Sequence, residues 1–223
     1  MRTIRVTGKG KISVKPDMTR LLIDIEEVLP TYDEALEESA KATEQMKDMV
    51  KGLLFAREDL KTLSFGVDSE YKGYYDEKDK YQKRFVGYKY THRMKLEFDS
   101  DNKRLGKILF QLGKSKLNPE IRIQNTVKDI EACKNALLGK AVEDSVAKAK
   151  VLSAASSVTL GEIQAIDYSW GELNIYSEPI SLMGDMEPLL SMKNAIEQAS
   201  YDIDIEADDI DITDTVTVVW EIK

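Results

Sequence analysis

The sequence predicts an α+β fold in which a largely antiparallel sheet carries long helices on one face. Segments of alternating apolar and polar residues, typical of half-buried strands, occur near both ends of the chain and between them. Two other segments repeat apolar residues every three or four positions, which indicates amphipathic helices, and a third is long and rich in alanine. Consecutive strands are joined by short turns, so antiparallel pairing is expected.

The N-terminal region is predicted to form two strands and a helix. Four apolar residues share one side of the first strand: Ile4, Val6, Ile12 and Val14. A bend is expected in it at Gly8 and Gly10. A turn at 15–17 leads to the second strand, 19–29. The helix, 31–54, opens with a capping box at Thr31 and Glu34. Its apolar face is predicted to comprise Leu36, Ala40, Thr43, Met46, Val50 and Leu53.

The middle of the chain is predicted to form a long hairpin, with strands at 60–75 and 82–99 around a polar tip. Six tyrosines lie on it, and aromatic residues suit a pleated, half-exposed surface. Four of them are predicted to form a contact surface: Tyr71, Tyr74, Tyr75 and Tyr81. A base-stacking role is disfavoured because the surrounding charge is wrong for nucleic acid.

The remaining elements complete the order β-β-α-β-β-α-β-α-β-β. A helix capped by Ser100 or Asp101 points four residues inward: Leu105, Ile108, Leu109 and Leu112. The elements after it are a strand at 120–127, an alanine-rich helix at 130–158, and strands at 160–170 and 210–222. Small residues are expected to let that helix lie close to its neighbour: Ala132, Ala136, Ala141 and Ala149.

An irregular excursion at about 171–200 interrupts the pattern. It contains two glycines and two prolines, and its methionines are predicted to lie in a mobile loop: Met183, Met186 and Met192. The functional alternative is an adaptable contact surface. Because no linker divides the chain, a single domain, 1–223, is expected.

The composition excludes several classes of function. The 223 residues carry a net charge of −8, from 40 acidic and 32 basic residues without a basic block. Nucleic acid and anionic membranes are therefore not expected partners. One cysteine and one histidine exclude an intrachain disulfide, a cysteine zinc cluster and any site needing two imidazoles. No apolar run is long enough for a membrane span. A cytoplasmic location is expected for the chain as given, or a periplasmic one if a leader was removed.

Several short motifs resemble catalytic or binding sequences without completing them. Ile12 stands where a phosphate-binding loop needs Ser or Thr, and no helix follows the two glycines. The pairs Ser145–Lys148 and Ser100–Asn102 resemble pieces of penicillin-recognising serine enzymes, but in reversed order and without the third motif. The acidic segment 202–214 lacks the glycine and glutamate of a calcium loop and alternates like a strand, with a weak cation site as the alternative.

The two unique side chains have two interpretations each. His92 lies mid-strand, where a surface or pairing role is predicted rather than catalysis. Cys133 is predicted to be a small buried hydrophobic residue. The alternative is a thiolate stabilised in the first turn of its helix.

The ordered set of segments resembles the SIMPL-domain family. It opens with IRVTGKGKISVKPDMTRLLIDIE, a strand carrying G-x-G, a short step to P-D and a second strand, and it ends with DIDITDTVTVVWEIK. The positions that match the family pattern are interpreted as structural: Gly8, Gly10, Pro16, Asp17 and Gly87. The family has no established catalytic residues, so the resemblance implies no catalytic, cofactor-binding or metal-binding residue and no cofactor. It implies an α+β fold, homo-oligomeric assembly, and a protein partner in some relatives.

The leading hypothesis is a non-enzymatic, self-associating protein with a stress- or envelope-related role. The alternative is a small-molecule or metal-binding module. An enzyme would need a nucleophile and a base within reach of each other, and Cys133 and His92 are the only thiol and imidazole.

Overall fold

A computed structural model describes residues 2–168, 175–181 and 205–223. Its helices and strands, in chain order, are β1 (Arg2–Val14), β2 (Met18–Leu29), α1 (Tyr32–Gly52), β3 (Lys61–Tyr75), β4 (Tyr81–Asp99), α2 (Asn102–Lys114), β5 (Glu120–Thr126), α3 (Ile130–Ala155), β6 (Leu160–Asp167), β7 (Ile180–Ser181) and β8 (Ile210–Ile222). The α+β class and the predicted order are confirmed. The two-residue strand β7 and a short 3-10 turn before β3 were not predicted.

The strands are divided between two sheets, and the chain between two compact units. The first unit comprises residues 1–17, 126–177 and 207–223, and contains the sheet β1-β8-β6. The second comprises 18–125 and 178–206, and contains the sheet β3-β4-β2-β5-β7 apart from the last residue of β5. Alternation shows which face of a strand is buried but not which strands share a sheet, so this division was not predicted. The single domain stays a prediction.

In the first unit, β1 and β8 pair antiparallel along their whole length, from Arg2 opposite Ile222 to Val14 opposite Ile210. The register is continuous, so β1 has no extra residue at Gly8 or Gly10. The bend expected there stays a prediction. Both glycines are buried and face α3. They create room for the helix.

The helix α3 lies very close to β1. Small residues at four-residue spacing dominate its buried stripe: Leu137, Ala141, Ser145, Ala149 and Ser153. A Cβ atom added at Gly8 would lie 2.6 Å from the Cβ of Ser145, and one at Gly10 would collide with the carbonyl oxygen of Leu137. The predicted roles of Ala132 and Ala136 in this contact are wrong, because both are exposed.

In the second unit, α2 has the predicted cap and buried face. The carboxylate of Asp101 accepts hydrogen bonds from the backbone N–H groups of Lys103 and Arg104. The four leucine and isoleucine residues predicted to point inward are buried. They join a core beneath the five-stranded sheet.

The predicted capping box of α1 is present, but its predicted buried face is wrong in part. Thr31 accepts a hydrogen bond from the N–H of Glu34, whose carboxylate accepts one from the N–H of Thr31. Met46 and Val50 are buried as expected, whereas Leu36 and Ala40 are exposed. Small residues take the buried positions of the first turns instead: Ala35, Ser39 and Ala42. The spacing of apolar residues alone does not predict that small residues are buried here while a leucine is exposed.

The hairpin of β3 and β4 bends where β4 contains an extra residue. Glu70 lies opposite Gly87 and Tyr71 opposite Phe85, so Val86 has no partner on β3. Gly87 has a φ of 155°, and a Cβ atom there would collide with the carbonyl oxygen of Leu29. Only glycine fits this position without strain.

Candidate functional site: the aromatic hairpin

Four exposed aromatic side chains line one face of the hairpin end. Tyr71 lies opposite Phe85 and Tyr75 lies opposite Tyr81. In each pair the rings meet edge to face with centroids 5.6 Å apart. We call these four residues the aromatic row. Their exposed fractions run from 44% for Phe85 to 69% for Tyr75, so all four residues are substantially exposed to water.

The aromatic row continues a face of the sheet that is buried further along. Phe85 contacts Tyr88 edge to face, with centroids 5.3 Å apart, and Tyr88 contacts Tyr32 at 5.7 Å. Tyr32 is the first residue of α1, and Tyr90, two residues beyond Tyr88, is fully buried. The hairpin thus extends beyond the start of α1, and its aromatic face becomes exposed there.

The rest of the hairpin end is exposed as well. Tyr74 alternates with the aromatic row along β3 and is 49% exposed. The tip itself is well defined, since the carboxylate of Asp76 accepts hydrogen bonds from the N–H groups of Lys78 and Lys80. These bonds, the one from Lys80 first, lower the pKa of Asp76. The four tyrosines predicted as a contact surface therefore lie together around one projecting hairpin.

The free edge of β3 is the second feature of this site. β3 is the outermost strand of its sheet, so within residues 2–168, 175–181 and 205–223 no strand pairs with its outer side. Unpaired N–H and C=O groups on such an edge are a template for another strand.

The free edge of β1 is occupied by side chains of α3. The N–H of Lys9 donates to the carboxylate of Asp144 at 2.7 Å, and the ammonium of Lys148 lies 3.4 Å from the carbonyl oxygen of Thr7. Asp144 and Lys148 also form an ion pair of 2.7 Å. Lys148, and then the N–H of Lys9, lower the pKa of Asp144.

His92 is buried and bonded through both ring nitrogens. Its Nδ1 lies 3.0 Å from the hydroxyl of Thr43 and its Nε2 lies 2.8 Å from the hydroxyl of Thr62. Phe65 contacts the imidazole edge to face. Burial, and then the charge of Lys47, lower the pKa of His92. The pairing role is confirmed, the surface role is wrong, and a bonded, buried imidazole is poorly placed to act as a base.

Cys133 packs partly buried against an apolar cluster of the first unit that includes Ile12 and Leu137. Burial, and then the charges of Asp129 and Asp17, raise the pKa of its thiol. The apolar packing agrees with the predicted small hydrophobic residue, but the predicted burial is only partial. The stabilised thiolate is wrong because the nearby carboxylates oppose a negative charge on sulfur.

The segments that resemble serine enzymes have structural roles. Ser145 is fully buried, and its hydroxyl donates to the carbonyl oxygen of Val142 at 2.8 Å. Ser100 lies within hydrogen-bond distance of Thr19, and Asp101 caps α2. Ser145 is buried and so cannot act as a nucleophile, whereas Ser100 is exposed but lies at the start of a capped helix.

In the described part of the acidic segment, 205–214, two carboxylates have neighbouring partners. Asp211 pairs with Lys11 at 2.8 Å, and Asp214 accepts a hydrogen bond from the hydroxyl of Tyr168 at 3.0 Å. In the parts of the chain that the structure describes, no three His, Cys, Asp or Glu side chains are grouped to hold a metal ion. Residues 202–204 lie outside the described residues, as do Met183, Met186 and Met192.

Pro16 and Asp17 connect two parts of the first unit. Pro16 is buried, and the N–H of Asp17 donates to the carbonyl oxygen of Thr126 at 3.1 Å. The Asp17 carboxylate accepts the N–H of Lys128 at 2.8 Å. This geometry holds the end of β1 against the segment that leads into α3.

Two open cavities lie away from the aromatic row. One, of about 480 Å³, is lined by Gly52, Leu53, Leu54, Asp101, Lys103, Arg104 and Lys107. The other, of about 420 Å³, is mainly apolar and is lined by Val6, Ala147, Lys148, Val151 and Leu152. Neither lining includes His92 or Cys133.

The fold and the site define an antiparallel α+β protein whose most distinctive exposed feature is an aromatic hairpin. The model of the SIMPL family, a protein family of unknown function (DUF541), matches residues 4–220 and so spans both units, and the chain belongs to this family. No curated protein matches the chain. The family is not known as an enzyme family. Among the described residues, every helix is too short or too polar to cross a membrane.

Proposed function

We propose that this protein is a non-enzymatic, self-associating member of the SIMPL family and that the aromatic hairpin is its contact surface. The observation that carries the proposal is the contiguous aromatic row, exposed at the end of a projecting hairpin. Single exposed apolar residues are common on proteins, but contiguous apolar patches mark interaction sites. Tyrosine and phenylalanine are also enriched in protein interfaces.

The state of the reactive side chains supports the non-enzymatic part. The imidazole of His92 is buried between two threonine hydroxyls, and the pKa of the Cys133 thiol is raised. A cysteine–histidine mechanism needs an activated thiolate and a base free to take a proton. The raised pKa of Cys133 disfavours the thiolate, and the buried, bonded His92 is not free to take the proton.

The first experiment measures mass in solution by size-exclusion chromatography with light scattering at several concentrations. The protein is expected to exceed the 25.3 kDa of a single chain, with a mass that rises with concentration. The triple variant Tyr71→Ser/Tyr75→Ser/Tyr81→Ser is expected to be monomeric, because it loses three rings of the aromatic row. A monomer of the unmodified chain at all concentrations would contradict the proposal.

A matched control removes exposed apolar residues elsewhere. Val151 and Leu152 lie on α3 and are 68% and 45% exposed. The variant Val151→Ser/Leu152→Ser removes apolar side chains that are about as exposed as those of the aromatic row, but it leaves the hairpin unchanged. It is expected to associate like the unmodified protein.

The stress- or envelope-related role belongs to the same proposal and has a cellular test. A strain lacking the gene is expected to grow more slowly under oxidant or envelope stress. The unmodified gene should restore growth, whereas the triple tyrosine variant should not. Restoration by that variant would separate the cellular role from self-association.

The second candidate, a small-molecule-binding module, is favoured by the larger cavity. Its volume lies in the range of ligand sites, and Lys103, Arg104 and Lys107 line it. The guanidinium of Arg104 stacks over the ring of Phe55 at 3.9 Å from the centroid. Small anions such as inorganic phosphate or citrate should then raise the melting temperature, since ligands that bind only the folded state stabilise it. The variant Lys103→Gln/Lys107→Gln should lose that shift.

A further inference from the structure

The outer edge of β3 is a regular stretch of backbone with an ordered pattern of charges. The extra residue at the hairpin bend is Val86, on β4. The strand β3 itself has no extra residue between Ser64 and Tyr75. Asp68, Glu70 and Lys72 alternate with uncharged residues along this stretch. The edge can therefore accept a strand, and its charges restrict which strand and in which register.

We propose that the partner of this edge is β3 of a second copy of the chain, paired antiparallel about a two-fold axis at Tyr71. This inference rests on the proposed self-association and names its contact and register. The paired stretch runs from Val67 opposite Tyr75 to Tyr75 opposite Val67. Nine residues of each copy join the two five-stranded sheets through their β3 edges.

The backbone limits where the axis can pass. In a strand, the N–H and C=O groups of successive residues point to opposite sides, so only alternate residues present them to the free edge. Two identical strands that pair antiparallel must match outward residues with outward residues. The axis therefore passes through a residue and never between two neighbours.

The charges select Tyr71 among the available residues. An axis there places Glu70 of each copy opposite Lys72 of the other, which gives two complementary pairs. Axes at positions 68, 69 and 72 each place like charges opposite one another, and an axis at 73 places Glu70 opposite Asp76. An axis at 70 forms two pairs of Asp68 with Lys72 but places the two copies of Glu70 opposite each other. An axis at 74 places Lys72 opposite Asp76 but pairs only residues 73–75 of β3. Opposite charges across a pair of strands stabilise the pairing, and like charges destabilise it. An axis at 67 avoids repulsion but forms no charge pair.

The same register joins the two aromatic rows. Tyr71 of one copy faces Tyr71 of the other on the aromatic face, and Tyr75 faces Val67. Directly opposite residues of antiparallel strands have Cβ atoms roughly 4.5–5.5 Å apart, which brings their rings into contact. The aromatic rows of the two copies then lie side by side on one face of the joined sheet and meet at Tyr71.

The other free edges of the described residues are poorly suited to this pairing. The edge of β1 is occupied by Asp144 and Lys148. The strand β6 has two register shifts against β8, and β7 has only two residues. Irregular and very short edge strands resist pairing with another chain.

A charge-exchange experiment tests the register. Glu70→Lys places lysines at positions 70 and 72 and so opposes like charges at both pairs, and Lys72→Glu does the same with glutamates. Each variant alone should weaken self-association about tenfold or more. Mixing the two variants should restore it, because position 70 of each variant then faces the opposite charge at position 72 of the other. Lys83→Glu, on β4, changes the charge without touching the edge and should associate normally.

The outcomes separate this inference from the proposed function. If the unmodified protein is a monomer, both fail. If it associates and the mixture of Glu70→Lys with Lys72→Glu is no stronger than either alone, the register is wrong while self-association stands. Restoration only in the mixture supports the two-fold pairing, and it excludes a foreign strand as the partner in that assay.

Disulfide trapping gives an independent readout of the axis. In a Cys133→Ser background, Tyr71→Cys should form a covalent dimer under mild oxidation, since the two thiols face each other at the axis. Ser69→Cys should not, because the two copies of position 69 are offset by four residues, or roughly 13 Å. Cross-linking through position 69 rather than 71 would overturn the register.

Discussion

The outer strands β1 and β3 present their free edges in opposite ways. Along β1, side chains of α3 bond to an N–H and a carbonyl group of the free edge, through Asp144 and Lys148. Along β3, Asp68, Glu70 and Lys72 alternate with uncharged residues. Its outer side has no strand partner among residues 2–168, 175–181 and 205–223. The difference is that side chains of α3 bond to two backbone groups on the edge of β1, whereas the described residues supply no strand partner for the edge of β3.

The protection of β1 depends on a very close contact between strand and helix. Gly8 and Gly10 have no Cβ atoms, and α3 turns Ala141 and Ser145 toward them. The helix axis can then lie near enough to the strand for Asp144 and Lys148 to reach its edge. The glycines, the small residues and the ion pair therefore act together.

The availability of β3 has a simpler cause. Its hairpin extends past Tyr32, where α1 begins, and the aromatic row lies beyond that point. Residues that would be core under a longer helix are exposed here. An edge strand of this length and apolar character is a candidate for pairing with another chain.

The largest expected effect comes from Gly8→Ala, which removes the room that α3 occupies. The new Cβ atom would lie 2.6 Å from the Cβ of Ser145 and still closer to the carbonyl oxygen of Ala141. Overpacking of this kind costs about 1–3 kcal/mol or more, and contact with rigid backbone places this site at the upper end. Urea unfolding should show a loss of about 3 kcal/mol or failure to fold.

Gly139→Ala is the matched control on α3. No atom lies within 4 Å of a Cβ added there, so no contact is disturbed. Alanine is favoured over glycine in a helix interior by roughly 1 kcal/mol, and the variant should be more stable by about that amount. Equal effects at the two glycines would contradict the close contact between α3 and β1.

A smaller and local effect is expected from Asp144→Ala, which opens the edge of β1. The Lys9 N–H loses its acceptor, and Lys148 loses the partner that holds it near Thr7. Hydrogen exchange at Lys9 should become faster while exchange in α2, in the other unit, is unchanged. Asp144→Asn keeps an oxygen acceptor, so it should restore part of the protection. Unchanged exchange at Lys9 in Asp144→Ala would show that the side chain does not protect the edge.

Most of the fold could be predicted from the sequence because alternation and helical periods are local signals. Ile12 and Val6 alternate with polar residues, and Leu105 to Leu112 repeat at helical spacing, so burial there followed directly. The two sheets could not be predicted in this way, since β1 pairs with β8 from the other end of the chain. The role of Gly8 and Gly10 was missed because it depends on α3, which lies about 130 residues away in the sequence.

The candidate site was predictable only as a set of residues. The clustering of tyrosines in a hairpin indicated an aromatic surface. The pairing of Tyr71 with Phe85 depends on the extra residue Val86, which shifts the register and leaves no local signal besides Gly87. The protected edge of β1 was also missed, although Asp144 and Lys148 have the i, i+4 spacing of a helical ion pair.

The smallest expected effect is a pH dependence of stability that differs between the edges of β3 and β1. Because burial lowers the pKa of His92, the unfolded chain takes up a proton at a higher pH than the folded protein does. The stabilisation is complete above the ordinary imidazole pKa of about 6.5 and is lost as the pH falls through the lower folded value. His92 bonds to Thr62 and contacts Phe65, both on β3, so its protonation should loosen the base of the available edge.

Urea unfolding at pH 7, 6 and 5 should therefore show a decline of at most about 1.4 kcal/mol per pH unit from this group. The variant His92→Gln should be less stable at pH 7 and should show a shallower decline, because the titrating group is gone. The edge of β1 should behave differently, since the pKa of Asp144 is lowered and its protection should persist until the pH falls below about 4. A protection factor at Lys9 that falls together with the one at Thr62 between pH 7 and 5 would mean that the two edges do not respond independently.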